Sequence, residues 1–348
     1  MRPIHFLTSL LLISATAAAQ YDHIPVLASL EGDALRIALI DNYKPSSVLD
    51  LSDARDTLYA RIHLHADSVR CVYTGRSKYL DLDEDPSQFL FGAGGDTDIN
   101  LEHGYPQGKG AGFGNAQSDM HHLFPTRVDV NQARGSDPLA TIPDNQTREW
   151  YYDTRTLSST PQTKIDAYSE DTNLNFEPRE DFKGNMARAY FYFYTMYQNQ
   201  ADAEDPLFFE AQRETLCDWH DLDPVDSLEW ARTFLIATHQ DEKANPFILD
   251  CRLARLYCGE VSAGCRTVGL DDLDEKSSLL SPNPSMAGQP INVQSINPTT
   301  QISIYKPSGR LYDIATAGTL SAPTIPGVYL LRWTDKLRTT SAKLVVVR

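Results

Sequence analysis

The chain has 348 residues, 41% of them hydrophobic, which is enough for two domains of ordinary size with a sizeable core. Its formal net charge is −16, from 47 Asp or Glu against 31 Lys or Arg. Bulk attraction to nucleic acid is thereby excluded, so any contact with phosphate must come from a local basic cleft or a bound cation.

The chain opens with "MRPIHFLTSLLLISATAAAQ". A basic Arg2, an apolar run and the small residues Ala17-Ala18-Ala19 have the order of an export signal. Residues 1–19 are therefore expected to leave an exported, soluble protein. The apolar run is shorter than the ~20 residues that span a bilayer, and no later segment is long and apolar enough to do so. "SDARDTLYARIH" predicts a short helix. In "SVRCVYTG", Val69, Cys71 and Tyr73 alternate like residues on one face of a strand. "DLDEDPSQFL" has acids at alternate positions but lacks the glycine and the final acid of a calcium loop, and reads as a solvated acidic loop. "GAGG", starting at Gly92, is not followed by a helical pattern, which argues against a dinucleotide site.

Residues 95–180 are rich in Gly, Pro, Asn and Asp, and they concentrate histidine. "NLEHGYPQ" places Glu102 beside His103. "SDMHHLFPTRVDVNQARG" adds His121, His122, Asn131 and Arg134, so three of the chain's nine histidines fall in this window. Taken singly, each is more often an ordinary polar residue of a loop or core. Together they supply what phosphodiester hydrolysis needs. An imidazole can take the proton of an attacking water. A carboxylate and an amide oxygen can hold a divalent cation, and an arginine can meet developing negative charge. Adjacent strand residues point to opposite faces, so Glu102 and His103 reach one site only where the strand twists or ends. Tyr105-Pro106 marks such an end. By the same argument His121 and His122 cannot both face one way on a strand, and one is expected to be structural.

In "DFKGNMARAYFYFYTMY", Phe182, Met186, Tyr190, Phe193 and Tyr197 recur at helical spacing and predict a long helix with a broad aromatic core face. Asp226 and Glu229 have capping-box spacing, which starts another helix in "DPVDSLEWARTFLIATH". His220, just before it, reads as a structural hydrogen-bonding residue. There is no HExxH zinc pattern. Five cysteines in an exported chain point to disulfides. Cys251, Cys258 and Cys265 lie at even spacing, Cys217 is a partner for one of them, and one thiol is left over in a monomer, the expected state.

After the polar stretch "DDLDEKSSLLSPNPS" the pattern changes to short strands and turns: "PINVQS", "QISIYKPSG", "GVYLLRWT" and "AKLVVVR". The charge changes too, with seven Lys or Arg against two Asp or Glu in residues 281–348, leaving −21 on the rest. The predicted division is a catalytic domain at 20–270, a linker at 271–280 and a small all-β sandwich at 281–348 without clustered ligands. The expected fold class is α+β.

The blocks "NLEHGYPQ", "SDMHHLFPTRVDVNQARG", "GNMARAYFYFYTMY", "LCDWHDLDPVDSLEWAR" and "NPFILD" occur in the order found in the bacterial endonuclease I family, and "ARDTLY" and "VYTGR" resemble its start. The resemblance covers about residues 45 to 260. It implies an exported, non-specific nuclease with a ββα-metal (His-Me finger) core. It further implies that His103 is the general base, that Glu102 and Asn131 hold Mg²⁺ (or Mn²⁺ or Ca²⁺), and that Arg134 or Arg188 steadies the transition state. His121 and His122 would support the site. The substrate implied is DNA, with RNA second, cut to 5′-phosphate ends. The tail segments "SPNPSMAGQPINV", "ISIYKPSGRLY" and "IPGVYLLRW" resemble the C-terminal sorting domain of type IX secretion substrates, which implies that secretion machinery as a partner and an extracellular or cell-surface location. Two other readings compete: a catalytically silent nucleic-acid-binding surface protein, against which the intact Glu102, His103 and Asn131 stand, and a phosphodiesterase for small substrates. Basic residues lining the cleft would separate the last from a polymer-cutting enzyme.

Overall fold

The computed structural model describes residues 24–259, 280–283, 285–293, 297–305, 311–325, 327–335 and 338–347. The expected signal peptide, Cys265 and the linker up to residue 279 lie outside the described residues. The chain divides into two compact units, Met1–Cys265 and Arg266–Arg348.

The N-terminal unit mixes helices with short antiparallel sheets. Helices α1 (Gly32–Tyr43) and α2 (Leu51–Thr57) come first. The Asp50 carboxylate caps α2 by accepting from the amides of Ser52 and Asp53, and the helix runs on into a π-helical turn at Leu58–Ile62. Strands β1 (Leu64–His65), β2 (Ser68–Arg70) and β3 (Ser77–Tyr79) pair in that order. The strand expected to run through Tyr73 stops at Arg70. There the Cys71 amide donates to Arg76 O and the Gly75 amide to Cys71 O, which closes a turn. Val69, Cys71 and Tyr73 are all fully buried regardless, so the inward alternation outlasts the strand. Helix α3 (Pro86–Phe91) is capped by Asp85, at the end of the acidic loop.

A hairpin-and-helix element follows. Strand β4 (Ile99–His103) pairs antiparallel with β5 (Leu123–Arg127), with Glu102 opposite Phe124 and His103 opposite Leu123. The connection carries the short helix α4 (Asn115–Ser118), and α5 (Val128–Arg134) begins directly after β5. Next come β6 (Glu149–Tyr152), β7 (Arg155–Leu157), β8 (Ser169–Asp171) and β9 (Phe176–Glu177), in sheet order β7-β6-β8-β9. Buried Arg127 ties the two elements together. It bridges Asp129 at the start of α5 to the Asp153 carbonyl and the Thr156 hydroxyl at the β6–β7 turn.

Helix α6 (Lys183–Glu204) is the axis of the unit, packed against α7 (Phe208–Leu222), with α8 (Ser227–Ala237), α9 (Pro246–Leu249) and α10 (Arg255–Cys258) completing the core. From Lys183 to Tyr197 every residue except Asn185 is buried. The aromatic stripe is therefore part of a helix enclosed on all sides, as its apolar content on every face requires. Its tyrosine hydroxyls need partners there: Tyr192 and Tyr197 both donate to buried Asp119, at 2.7 and 2.8 Å. At Gly184 a side chain is impossible, because a Cβ would lie 1.9 Å from Asp223 O. The cap of α8 forms as expected, with Asp226 accepting from the Glu229 amide at 2.8 Å. The reciprocal half of the box does not, because the Glu229 carboxylate is held by Arg188 through bonds of 2.8 and 2.6 Å. A Cys217–Cys258 disulfide joins α7 to α10, and Cys251 is also disulfide-bonded. Cys71 is the free thiol among the described residues; it is buried and accepts from the Arg127 amide at 3.1 Å. No helix among the described residues is long and apolar enough to cross a membrane.

Among its described residues the C-terminal unit is strands and turns with one 3-10 turn of helix at Ala317–Thr319. Strands β10 (Leu280–Ser281) and β12 (Asn292–Val293) form a pair. The other sheet has β11 (Ser285–Met286), β13 (Gln301–Tyr305), β14 (Leu311–Thr316), β15 (Gly327–Asp335) and β16 (Arg338–Val347) in the order β11-β16-β15-β13-β14. Alternate residues Ile302 and Ile304, Leu331 and Trp333, and Leu344 and Val346 fill its core. The whole chain is thus mixed helix and sheet.

Candidate active site

The histidine-rich window falls on β4, its connection, β5 and α5. Strand β4 ends at His103, and that ending lets neighbouring side chains serve different partners. Glu102 is 2% exposed. Its Oε1 accepts from the Tyr73 hydroxyl at 3.0 Å and lies 3.2 Å from Arg134 Nε, a charge contact rather than an aligned hydrogen bond. Both contacts are on one oxygen. Oε2 has no hydrogen-bond partner among the described residues and is not sealed from solvent. Burial pushes the carboxyl up to about 7, against the opposing pull of Arg134 and Tyr73.

Asn131 projects from α5 back onto β4. Its Nδ2 donates to the Asn100 Oδ1 at 2.9 Å and to the Leu101 carbonyl at 3.0 Å. Two acceptors fix which end of the amide is nitrogen, and Oδ1 is left without a partner among the described residues. A carboxylate oxygen and an amide oxygen, each free of protein donors, therefore flank the end of β4. Both are hard oxygen ligands suited to Mg²⁺, Mn²⁺ or Ca²⁺. A cation there would also offset the cost of ionising buried Glu102. Among the described residues no cluster of three or more His, Cys, Asp or Glu is arranged to hold a metal ion, so water would complete the shell of a cation held by these two.

His103 has one ring nitrogen on protein and one facing a movable group. Its Nε2 lies 2.8 Å from the Gln117 carbonyl, which accepts only, so Nε2 carries the proton. Nδ1 is then a lone pair, and it accepts from the side-chain amide of exposed Gln107 at 3.2 Å. Burial holds the imidazole down at about 4; the Gln117 carbonyl opposes this and the charge of Arg134 adds to it. The ring is neutral near pH 7, as a proton acceptor must be.

The other expected site residues are placed as follows. Arg134 is fully buried, and besides Glu102 it donates to the Gly104 carbonyl at 2.8 Å and the Tyr190 hydroxyl at 2.6 Å. It holds the end of β4 from within the core instead of presenting a face to solvent. Arg188 is equally buried and is committed to Glu229 and to the Asp223 carbonyl. His121 bonds the Lys243 carbonyl and His122 the Ala116 carbonyl, at 2.8 and 2.7 Å. Both rings are buried, on a 3-10 turn that precedes β5 and not on a strand, so the opposite-face argument does not apply to them. Burial depresses them to about 4 and about 3. His220 bonds the Cys251 carbonyl at 3.0 Å. Tyr73, Tyr190, Asn100 and Gln107 take part in the site, and the sequence reading had not singled out any of them for it. Tyr73 did carry a signal, its place on the inward face with Val69 and Cys71.

The Endonuclease I family model matches residues 48–251, which include every residue of this site. An extracellular ribonuclease of Bacillus subtilis (strain 168) is 27% identical over 258 residues, covering 69% of this chain and 80% of that protein. An extracellular ribonuclease of Bacillus amyloliquefaciens is 30% identical over 164 residues, covering 43% of this chain and 50% of that one.

Proposed function

The chain belongs to the Endonuclease I family, and from that premise we propose that it is an exported, metal-dependent endonuclease that hydrolyses the phosphodiester bonds of DNA and RNA. The observation that carries this reading is the pairing at the end of β4. Glu102 Oε2 and Asn131 Oδ1 have no protein donor among the described residues, and the next residue along the strand, His103, is a neutral imidazole whose Nδ1 lone pair meets only the side chain of exposed Gln107. The β4–β5–α5 order supports a His-Me finger core.

In this reading Glu102 and Asn131 would hold the cation. When bound, it would supply Lewis-acid stabilisation of the charge that grows on the phosphoryl and leaving oxygens. His103 Nδ1 takes the proton of the attacking water, once Gln107 swings off it. The Nε2–H bond to Gln117 O keeps the ring in the required tautomer and stabilises the imidazolium that forms. Arg134 acts through Glu102, holding Oε1 so that Oε2 points outward. Water is the nucleophile, so the substrate's 2′-hydroxyl is not required, and both DNA and RNA are substrates. The leaving group is the 3′-oxygen, which gives 5′-phosphate ends. The names of the two Bacillus relatives support RNA alongside DNA. Their extracellular character, and the resemblance of the tail to type IX sorting domains, support export.

The deciding experiment is cleavage of supercoiled plasmid and of a labelled RNA by the purified protein, with Mg²⁺ and with excess chelator, followed by end analysis. Metal-dependent cutting of both polymers with 5′-phosphate ends is expected. Cleavage of RNA alone, with 2′,3′-cyclic phosphate products, would show that the 2′-hydroxyl and not water is the nucleophile.

A further inference from the structure

A cavity of about 150 Å³ shares an aromatic wall with the surroundings of Glu102, since Phe124, opposite Glu102 on β5, is part of its lining. Phe124 and Phe182 line it. Phe182 also packs on Tyr73, whose hydroxyl donates to Glu102. None of Glu102, His103, Asn131 or Arg134 lines it, so it is separate from the site described above.

Its polar lining is rich in donors that lack acceptors. Arg70 has no hydrogen bond or ion pair among the described residues, and it is exposed. Arg179 uses Nε and Nη2 on Asp181, which leaves Nη1 without a partner. Arg232 is 7% exposed and has no ion pair; it donates to His63 Nε2 and to the Met120 and Leu123 carbonyls, and its Nη1 has no partner among the described residues. Because His63 Nε2 accepts from a guanidinium, its proton sits on Nδ1, which is also without an acceptor. The carboxylates on the wall are already engaged. Asp181 is paired with Arg179, Asp226 caps α8, and Glu229 is held by Arg188.

The arginines also crowd one another. Arg179 Nη1 and Arg70 Nη2 lie 2.3 and 3.2 Å from the point where a Cβ on Gly75 would be. Two guanidiniums thus converge over a bare backbone turn, at a residue with φ of +72°. Convergent like charges beside a buried, unpaired third are costly in isolation, and a multiply charged anion among them removes the cost. Arg70, Arg179, Arg232 and His63 all line the cavity, and a surplus of cationic donors over free carboxylates suits a multiply charged anion such as a phosphate. Beside them Ile62, Val72 and exposed Leu228 supply an apolar wall that can take an attached ring.

We propose that this cavity binds a nucleotide through its terminal phosphate, with Arg70, Arg179, Arg232 and His63 on the phosphate and the apolar wall against the base or sugar. The identity of the attached group rests on the nuclease reading; the anion site does not. The ligand is either a free 5′-nucleotide or the 5′-phosphorylated end of a strand.

The test is calorimetric titration of the full chain in chelator, so that no cation-mediated binding at Glu102 contributes. The probes are 5′-AMP, inorganic phosphate, adenosine, and a tetranucleotide with and without a 5′-phosphate. 5′-AMP is expected to bind at least tenfold more tightly than phosphate, and adenosine not measurably. Arg70→Glu, a change at an exposed side chain without partners, should weaken 5′-AMP at least tenfold, whereas His103→Ala should not. Stronger binding by the phosphorylated tetranucleotide than by 5′-AMP assigns the strand end, and the reverse assigns the free nucleotide. Absence of 5′-AMP binding, or equal binding by Arg70→Glu, overturns the site. Phosphate binding as tightly as 5′-AMP overturns its nucleotide character. Binding that persists in a protein without cleavage activity would instead count against the nuclease reading and leave the site standing.

Discussion

The side-chain nitrogen of Asn131 is bonded to the main-chain oxygen of Leu101 at 3.0 Å, which locks the amide of helix α5 against the strand that carries Glu102. The amide oxygen is free as a consequence. An aspartate at 131 would gain charge for cation binding but would set a carboxylate oxygen against two acceptors, Leu101 O and Asn100 Oδ1. Asn131→Asp is therefore expected to lose metal affinity and turnover by 10- to 100-fold, much as Asn131→Ala does, and Asn100→Ala to lose a similar factor because it orients the ligand. Metal titrations followed by plasmid nicking would measure this. An Asn131→Asp protein more active than wild type would show that the amide's polarity is not what the site requires.

His103→Ala should lower turnover by about 10²- to 10⁴-fold, the usual worth of a positioned base, while metal binding and the thermal midpoint stay near wild type. Gln107→Ala removes only the donor that rests on Nδ1 and should leave turnover equal to wild type or higher. Single-turnover rates on one oligonucleotide would check both. Near-wild-type cleavage by His103→Ala would move the base elsewhere.

Arg188 and Arg134 should separate by the kind of damage they cause. Arg188→Met leaves the buried Glu229 carboxylate without its partner and should cost about 3–5 kcal/mol of stability. Below its melting temperature, turnover per folded molecule should remain close to wild type. Arg134→Met should destabilise as well, and should also lower metal affinity, because Glu102 loses the charge that holds its Oε1. Urea melts paired with activity normalised to folded protein would distinguish them. A folded Arg188→Met protein without activity would return Arg188 to the site.

His121 and His122 predict a pH dependence of folding. Burial sets their folded values at about 4 and about 3, below the ordinary 6.5, so the native state favours the neutral rings. Their contribution is fully present above pH 6.5 and is lost as pH falls from there through the folded values, by up to about 1.4 kcal/mol per pH unit for each ring. Glu170 and Asp223, which burial pushes up to about 7 and about 6, act in the opposite direction over part of the same range. The measurement is accordingly a difference: the loss of stability between pH 7 and pH 5 should be smaller in a His121→Phe, His122→Phe protein than in wild type. An unchanged slope would mean that these rings are not held neutral by the fold.

Local signals in the sequence account for much of this architecture. The Asp226 cap and the aromatic helix around Met186 and Tyr190 follow from spacing, whereas the sequence leaves Cys217 a choice among Cys251, Cys258 and Cys265 that only the fold settles as Cys258. The end of β4 at His103 follows from the turn after it. Long-range pairings have no such trace. Nothing near Arg188 points to Glu229, 41 positions later, and nothing near Arg134 points to Tyr190. Both arginines were candidates to steady the transition state, and their burial has no trace in the sequence because charge there carries no information about burial. Nothing in the sequence around Gly75 shows that Arg70 and Arg179 come together above it; only the fold does so.

The residues assigned to the cation and the proton all come from one unbroken stretch of chain, β4 to α5, while the support of Glu102 also draws on Tyr73 before it and, through Arg134, on Tyr190 after it. Short-range pairing closes fast and long-range packing slowly. On refolding, the hairpin and helix should therefore acquire backbone protection before the enzyme regains turnover, since Glu102 has no fixed orientation until the aromatic helix docks. The catalytic parts thus assemble locally, but their activity reports on completion of the whole N-terminal unit.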